Sequence, residues 1–469
     1  MRAFLSSLLI WFEVFVLLYF VVINSLYMWF SAFAYIALVR YRRRWTPREL
    51  GTVMRSPATP AVSIVVPAYN EEAGIVATVR SLLTLNYPLF EVIVIDDGSS
   101  DRTLDTLQEA FGLVRAPGSY EPSLATAPVE GVYRSLTIRE VVAIRKQNGG
   151  KADAINAGIN AAQHELVCVI DADSVMEEHA LARAVLPFIE DPTTIAAGGS
   201  VRIGNGCVID HGRVTDVRVP ASWLARFQIV EYLRAFLAAR VTHSAFNALL
   251  IVSGAFGLFR RDIAIAAGGF STETIGEDME LIVRLHRFCR DQKRPYRIAF
   301  QPDPVVWTEA PESLDILGRQ RNRWQRGTVQ VLVAHRGMMG NPRYGRIGLL
   351  ALPYYAIFET VGPVIELAGL LATIGGLALG AIDWRMAQLL FLGAILYGTL
   401  ISVAAVLLEE LSFRRYLRLP DVARLLAAAL LENFGYRQIN TLWRLQGVLD
   451  YLRGRSGWGA MTRKGLSTA

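Results

Sequence analysis

Cysteine is scarce in this chain, and its scarcity excludes several kinds of site. Only Cys168, Cys207 and Cys289 occur among 469 residues, and they are widely spaced with no Cys-x-x-Cys pair. We therefore expect neither a disulfide framework nor a cysteine-based metal or redox centre. The pattern favours reduced thiols in a cytosolic environment.

Charged residues are also few, at 19%, whereas hydrophobic residues reach 52% and the mean hydropathy is +0.32. That composition argues against a soluble enzyme of this length, for which two or three domains are expected. The net charge is +6 and the pI about 9.2. Because the arginine clusters flank apolar runs, anionic lipid is the expected partner and nucleic acid is not.

Three long apolar runs predict membrane-spanning helices. The first, Leu8–Val39, ends in an arginine cluster at 40–44, is too long for a signal peptide and has no small-residue cleavage site. One tilted helix over about Phe12–Val39 suffices, although two helices remain an alternative. The other runs are Leu349–Gly380 and Met386–Leu408, joined by a short polar turn.

Arginines at 40–44, 343–346 and 414–418 place residues 45–346 and both flanks of the second and third runs on the inner side, and the N-terminus outside. Glu359 and Glu366 share one face of the second span. Either they line a conducting path, or Glu359 lies at the interface and Glu366 bonds a neighbour; the second interpretation is slightly favoured. The charges that interrupt residues 421–452 predict an interfacial or re-entrant segment that does not cross the membrane.

Between Pro60 and Arg336 the chain alternates apolar strand-like and helix-like runs. This alternation predicts a mostly parallel sheet covered by helices, with ligands beyond the carboxyl ends of the strands. Two segments, Val114–Leu136 and Asn205–Pro220, match no element and are expected to be loops. The predicted strands are Val62–Val66, Glu91–Ile95, Val141–Arg145 and Leu166–Ile170, and the predicted helices are Ala73–Leu85, Asp101–Phe111 and Lys151–Ala162.

Acidic residues follow two of these strands. Asp171 and Asp173 come directly after Leu166–Ile170, and Asp97 follows Glu91–Ile95, with Gly98 allowing a close backbone approach. A pair of carboxylates at a strand end suits a hard divalent cation. A solvated turn is the alternative for an isolated Asp-x-Asp, but its position in this series favours the cation site.

Further motifs carry polar groups suited to anions and sugars. Lys151 begins a helix after Asn148-Gly149-Gly150, where the helix dipole already favours an anion. Glu277 and Asp278 precede an amphipathic run and would also suit an ordinary helix N-terminus. In Gln320-Arg321-Asn322-Arg323-Trp324, Arg323 can pair with a diphosphate as a fork and Trp324 offers a flat apolar face. An interfacial helix with snorkelling arginines is a compatible interpretation.

In this order and before membrane segments, the motifs resemble those of processive membrane family-2 glycosyltransferases, the cellulose, chitin, hyaluronan and poly-N-acetylglucosamine synthases. The resemblance implies an α/β GT-A-like nucleotide-sugar-binding domain with a mostly parallel sheet, plus transmembrane and interfacial α-helices. It implies an inverting transferase that extends a β-linked polysaccharide and helps to export it. Single transfer to a lipid acceptor is the alternative, and the intact motif set argues against a degenerate scaffold or transporter. The implied segments are an N-terminal transmembrane helix at 1–45, a cytosolic catalytic domain at 46–312, an interfacial Gln-x-x-Arg-Trp helix at 313–346, two spans at 347–410, and interfacial or re-entrant helices with a tail at 411–469.

The resemblance also implies residue roles. Asp278 would be the general base, and Asp173, with Asp171, would hold Mg²⁺ or Mn²⁺. Donor-binding residues, with UDP as the expected nucleotide, would be Pro67, Ala68, Tyr69, Glu71, Asp97, Lys151, Asp171 and Arg323. Acceptor-binding residues would be Ser253, Gly254, Glu277, Gln320 and Trp324. Trp458 and Arg463 resemble part of a gating loop, with a disordered basic tail as the alternative.

The expected partners are a nucleotide sugar, a polysaccharide acceptor and the bilayer, with a second copy or an accessory subunit completing the pore. The expected location is the inner (plasma) membrane, as a multi-pass protein with its catalytic domain in the cytosol. Gly276 and the segments at 114–136 and 205–220 depart from the family pattern and leave the sugar unidentified.

Overall fold

A ten-stranded sheet flanked by helices forms the centre of the chain, and three long apolar helices pack beside it. The computed structural model describes residues 2–116, 120, 122–210 and 212–455. The strands are β1 Val62–Ala68, β2 Phe90–Asp96, β3 Leu113–Arg115, β4 Val129–Ser135, β5 Val141–Lys146, β6 Leu166–Ile170, β7 Val175–Met176, β8 Thr194–Ile203, β9 Val208–Asp210, β10 Arg213–Asp216, β11 Phe256–Arg260 and β12 Arg297–Thr308.

Helices connect these strands and make up the two ends of the chain. They are α1 Arg2–Arg44, α2 Pro47–Met54, α3 Ile75–Leu83, α4 Thr103–Phe111, α5 Lys151–Ala161, α6 Ala180–Ala184, α7 Leu186–Glu190, α8 Trp223–Leu233, α9 Val241–Ala245, α10 Arg261–Ala266, α11 Glu277–Asp291, α12 Leu314–Ala334, α13 Leu352–Tyr354, α14 Gly362–Ala378, α15 Trp384–Phe391, α16 Tyr397–Ser412, α17 Leu419–Leu431 and α18 Tyr436–Leu452. π-Helical turns at Arg234–Arg240, Ile347–Ala351, Tyr355–Val361 and Leu392–Leu396 join neighbouring helices, and 3₁₀ turns lie at Arg336–Met338 and Pro342–Tyr344.

The sheet order is β3-β4-β5-β2-β1-β6-β11-β8-β12-β7. Strands β5, β2, β1 and β6 run parallel, so their carboxyl ends share one edge. These strands are runs of valine and isoleucine with almost no exposed surface, as expected for a sheet covered on both faces. The predicted GT-A-like α/β architecture is therefore correct.

The four predicted strands and three predicted helices are all present, with ends displaced by at most two residues. The expectation of an irregular loop over Val114–Leu136 was wrong, because that segment contains most of β3 and all of β4. Strand β4 pairs antiparallel with β5 and extends the sheet at its edge. Its half-buried residues alternate weakly, so tertiary pairing rather than a hydrophobic pattern determines this strand. Asn205–Pro220 likewise holds the antiparallel pair β9 and β10.

In the part of the chain that the structure describes, three helices are long and apolar enough to cross a membrane: Ser7–Arg44, Ile347–Ala378 and Trp384–Ser412. The three predicted spans lie within them or exceed them by at most two residues. Among the described residues, the segment 419–452 contributes no such helix. It forms α17 and α18 instead, and these pack against α8, α16 and α12.

Buried ion pairs and close helix contacts join the sheet domain to the apolar helices. Arg202 of β8 lies 2.7 Å from Glu409 of α16, and both side chains are almost fully buried. Helix α18 lies along α12, where a Cβ on Gly318 would stand 2.7 Å from Trp443 Nε1. The glycine therefore lets the two helices approach, and the site on α12 is held by both parts of the chain.

Candidate active site

The segment after β1 is tied to the loop after β2. Pro67 and Ala68 end β1, and the Ala68 carbonyl accepts a 2.9 Å hydrogen bond from Asp97 N. Tyr69 is 53% exposed, which leaves its ring available for stacking. Glu71 N donates to Thr103 Oγ1 at 2.9 Å.

Asn70 does not cap the following helix, although in an ordinary strand-to-helix turn it would be the N-cap residue. Its φ is +56°, its Oδ1 accepts a 2.8 Å hydrogen bond from Ser100 N, and α3 begins only at Ile75. An asparagine tolerates the left-handed conformation, so the residue joins two loops here rather than starting a helix.

Asp97 organises the loop that leads to Lys151. Its side chain is almost completely buried, and its carboxylate accepts hydrogen bonds from Lys146 Nζ, from Gly149 N at 3.0 Å and from Gly150 N at 2.8 Å. Gly98, with φ +71°, lies so close to this loop that a Cβ would stand 2.8 Å from Asn148 N. Gly98 therefore allows close packing against this loop. A direct contact of Asp97 with a nucleoside stays a prediction.

Lys146 is a site residue that the sequence did not reveal. It is fully buried and also lies 2.7 Å from Asp153 Oδ1 on α5, so one ammonium joins two carboxylates. Such a group is retained in a core only when it is paired. In the sequence, the only sign of this buried cation was the position of Lys146 at the end of an apolar strand.

Lys151 brings the predicted donor and acceptor residues together. Its Nζ lies 2.6 Å from Asp171 Oδ1, 3.0 Å from the Gly254 carbonyl and 3.7 Å from Glu277 Oε1. Burial disfavours the charge of Lys151, but the carboxylates of Asp171 and Glu277 outweigh that effect and raise its pKa. Residues that are far apart in sequence therefore converge on one cation.

Asp171 and Asp173 follow β6 as predicted. In the described part of the chain, no group of three or more histidine, cysteine or acidic side chains could hold a metal by itself. Mg²⁺ is commonly held by one or two carboxylates together with substrate phosphates. The pair therefore fits a cation that a diphosphate helps to coordinate.

Glu277 and Asp278 form the first turn of α11. Glu277 is 6% exposed, and burial raises its pKa despite the opposing charge of Lys151. Asp278 is half-buried, and its Oδ1 accepts a hydrogen bond from Met279 N at 2.8 Å. A Cβ on Gly254 would stand 3.3 Å from Asp278 Oδ2 and 3.5 Å from Lys151 Nζ. Gly254 thus lies between them, in the turn where Ser253 Oγ accepts from Ala255 N.

The Gln-x-x-Arg-Trp residues lie in the middle of α12. Trp324 is 42% exposed, and the Arg321 guanidinium lies 4.4 Å from the centre of its ring. Arg321 is itself fixed by Glu231 at 2.8 Å. Gln320 is buried and lies on the same face of α12 as Trp324, and Arg323 is half-buried. The indole thus keeps one accessible surface while a buried cation supports it.

Helix α12 touches the start of α11, which gives the Gly276 departure a physical reason. A Cβ on Gly327 would stand 3.0 Å from Gly276 N and 3.1 Å from Gly276 Cα. Gln330 fixes the same approach by accepting from Ile275 N at 3.0 Å and donating to the Glu273 carbonyl at 2.9 Å. The turn that carries Asp278 is therefore positioned by the helix that carries Trp324.

The two acids of the second apolar helix both bond α18. Glu359 Oε2 lies 2.8 Å from Arg444 Nη2, and Arg444 Nε also donates to Gln325 Oε1 at 2.9 Å. Glu366 accepts from Thr441 Oγ1 at 2.9 Å, which agrees with the expectation that it bonds a neighbour. Trp458 and Arg463 lie outside the described residues, so their gating role stays a prediction.

Comparison with known proteins agrees with this arrangement. Residues 63–118 match the model "Glycosyl transferase family 2", and residues 125–327 match "Glycosyltransferase like family 2". The chain is 29% identical over 272 residues to the poly-β-1,6-N-acetyl-D-glucosamine synthase of Staphylococcus epidermidis, covering 58% of this chain and 55% of that protein. It is 27% identical over 328 residues to the same enzyme of Staphylococcus aureus strain COL, covering 70% and 66%.

Among solved structures, a mannosyltransferase of Pyrobaculum calidifontis in complex with GDP-mannose and Mn²⁺ superposes with a TM-score of 0.51 at 21% identity. The match covers 88% of this chain and 99% of that one and supports the shared fold. Fold and site together define a GT-A-like transferase that uses a nucleotide sugar and has membrane helices.

The chain belongs to glycosyltransferase family 2 and is a distant homologue of the poly-β-1,6-N-acetylglucosamine synthases. It spans between about half and two thirds of the length of those curated relatives.

Proposed function

We propose that this enzyme is an inverting, processive synthase that extends a β-linked polysaccharide from a UDP-sugar and helps to export the product. One observation carries the proposal: Lys151 joins Asp171 of the donor side to Gly254 and Glu277 of the acceptor side. Trp324 lies on α12, which bonds Arg444 of α18, and Arg444 in turn bonds Glu359 of the second apolar helix. These contacts support a product path that would start beside the acceptor site.

The donor would lie across the carboxyl edge of the sheet. The exposed Tyr69 would stack on the base beside Pro67 and Ala68, Glu71 would meet the ribose, and Asp97 would contact the nucleoside or hold the loop. Lys151 and Arg323 would bind the diphosphate, with Asp171 at its edge and Asp173 holding Mg²⁺ or Mn²⁺. When bound, the cation neutralises charge that develops on the leaving diphosphate.

The half-buried Asp278 would remove the proton from the acceptor hydroxyl. That oxygen attacks the anomeric carbon as the bond to the diphosphate breaks, so an α-linked donor yields a β-linked product. One base suffices because the nucleoside diphosphate leaves without needing a proton. Such a base contributes roughly 10² to 10⁴ in rate.

The acceptor sugar would rest on the exposed face of Trp324, since aromatic faces suit the apolar face of a sugar ring. Gln320, four residues earlier on α12, would donate to it. Ser253, Gly254 and Glu277 would form the wall towards the base, where the absence of a side chain on Gly254 leaves room for the reacting hydroxyl.

The product would leave between the three apolar helices. From the outer turn at 379–383 back to Glu359 the second span measures roughly 28 Å at 1.5 Å per residue, about one hydrocarbon thickness. Glu359 would then lie at the inner boundary, close to Gln325 beside Trp324. The catalytic domain would face the cytosol at the plasma membrane, and a second copy or accessory subunit would complete the narrow pore.

Transfer of one sugar to a lipid acceptor is the second candidate, because the Gln-x-x-Arg-Trp motif also occurs in such enzymes. Product length separates the two. Purified full-length protein in lipid nanodiscs would be incubated with radiolabelled UDP-N-acetylglucosamine, UDP-glucose or GDP-mannose, with Mg²⁺ or Mn²⁺. A ladder of long products that a β-specific hydrolase digests supports the proposal. A single labelled lipid supports the alternative, and no transfer from any donor contradicts both, with Asp278→Asn as the inactive control.

A further inference from the structure

Arg240 is a half-buried cation that has no carboxylate partner among the described residues. It ends the π-helical turn Arg234–Arg240, where its guanidinium carbon lies 3.7 Å from the ring centre of Phe236 and its Nη1 donates to the Val252 carbonyl. Within the described ranges, no acidic side chain lies within salt-bridge distance of it. Three other guanidinium groups are each paired with an acid: Arg202 with Glu409, Arg234 with Glu432 and Arg321 with Glu231.

A cation that is partly withdrawn from water without a counter-charge is destabilising. The cost is visible here, since burial lowers the pKa of Arg240 to about 10 against the attraction of Tyr355, Asp278 and Tyr232. The surrounding protein compensates little for this cost, because the Val252 carbonyl accepts from only one of the five N–H groups of the Arg240 guanidinium. A group retained under these conditions suggests a ligand that supplies the missing negative charge.

The side chain of Arg240 is partly exposed. Its Nη1 is held by the Val252 carbonyl. Among the candidate site residues, Asp278 is one whose charge acts on Arg240.

The anchor of Arg240 belongs to the acceptor side of the site. Val252 directly precedes Ser253 and Gly254, and Gly254 lies between Lys151 and Asp278. A group that bonds Val252 is thereby fixed next to the turn that would form the acceptor side of the site. The donor side, at Tyr69 and Asp97, lies at the ends of other strands.

We propose that Arg240 is an acceptor-binding residue that donates hydrogen bonds to a negatively polarised oxygen on the acceptor sugar. The ligand chemistry is an acetamido carbonyl or a carboxylate next to the attacking hydroxyl, since a guanidinium fork suits both. Arg240 thereby selects substituted sugars over plain hexoses. This inference rests on the proposed transfer to a sugar acceptor.

The test compares three tetrasaccharides, of N-acetylglucosamine, glucuronate and glucose, as acceptors for the full-length enzyme. We expect Arg240→Met to raise the acceptor KM at least tenfold for whichever substituted tetramer the wild type prefers, with UDP affinity changed less than twofold. The preference over the glucose tetramer should disappear, and Arg240→Lys should restore part of it. Preference for the acetylated or the carboxylated tetramer identifies the oxygen.

Arg226→Met is the matched control, because Arg226 also lies over an aromatic ring, Trp223 at 4.7 Å, and donates to a backbone carbonyl, that of Pro220. It should leave acceptor KM unchanged. Direct binding of the fluorescently labelled tetramers is measured in parallel, so that absence of wild-type transfer would contradict the proposed function without removing this test. Unchanged acceptor KM and binding in Arg240→Met, or an equal loss for all three tetramers, would overturn the inference and leave Arg240 a support for Val252.

Discussion

Replacing Gly327 by alanine should displace Asp278, the proposed base, without removing any polar group. The added Cβ would stand 3.0 Å from Gly276 N and 3.1 Å from Gly276 Cα. Both are backbone atoms, so no side-chain rotation relieves the contact. Carbon atoms prefer a separation of about 3.5–4.0 Å, so the first turn of α11 must move away from α12 by roughly 0.5 Å.

The size of the effect follows from that displacement. A misplacement of about 1 Å can reduce catalysis about 10²-fold, so half of it predicts a loss of turnover of roughly tenfold. Overpacking costs about 1–3 kcal/mol, whereas alanine in mid-helix gains about 1 kcal/mol over glycine. The free energy of unfolding should therefore fall by no more than about 2 kcal/mol, and the variant should fold.

Turnover at saturating substrate, UDP affinity and Tm are measured for Gly327→Ala, Gly276→Ala and a control. Gly276→Ala adds a milder contact, 3.3 Å to Gly327 Cα, and should lose less activity. Gly375→Ala is the control, because nothing lies within 4 Å of its added Cβ in α14. Retention of turnover within twofold by Gly327→Ala, with normal UDP affinity, would refute the claim that this helix contact positions Asp278.

Four further outcomes are expected. Asp278→Asn should lower turnover by roughly 10² to 10⁴ while UDP affinity stays nearly intact, and near-normal turnover would exclude Asp278 as the base. Asp173→Ala and treatment with EDTA should each abolish transfer, with activity of the wild type restored by Mg²⁺ or Mn²⁺; full activity in EDTA would contradict a metal requirement. Burial opposes ionisation of Glu280, but His335 and Arg284 outweigh it and lower its pKa, so the wild type should be more stable than Glu280→Gln above pH 4.5. That advantage should decrease below pH 4.5 and disappear as the pH falls through the lowered pKa, so a Tm difference that stays constant when the pH is lowered from 7 to well below 4.5 would contradict it. Single cysteines at positions 50 and 465 should both resist a membrane-impermeant thiol reagent in intact cells, whereas labelling at 465 would show that the 421–452 segment crosses.

Strands and spans that depend on a local hydrophobic pattern could be predicted directly from the sequence. Strands such as Val62–Ala68 and Leu166–Ile170 are nearly continuous apolar runs, which are typical of a parallel sheet covered on both faces. The apolar spans exceed the length of a soluble helix, so composition alone indicated them. Edge strand β4 was missed because its residues are half-buried on both faces and its partner is set by the fold.

In the candidate site, too, some features could be predicted from the sequence and others appear only in the structure. Motif spacing placed Asp97, Asp171 and Asp278 at the ends of strands or the start of a helix, because local chain direction decides those positions. Distances between motifs depend on crossovers that no local pattern encodes. Only the tertiary structure put Lys151 between Asp171 and Glu277, and only it revealed the buried Lys146.

The sequence by itself determined the class of this protein: a parallel nucleotide-sugar fold, a set of family-2 motifs and three apolar spans. Those features depend on residue type, short spacing and hydrophobic length, which each segment carries independently of the others. The tertiary structure alone decided which helix packs against the turn that carries Asp278, which carbonyl Arg240 bonds and how Glu359 is paired. Those features depend on packing between segments tens to hundreds of residues apart, where a single glycine such as Gly327 sets the approach of two helices.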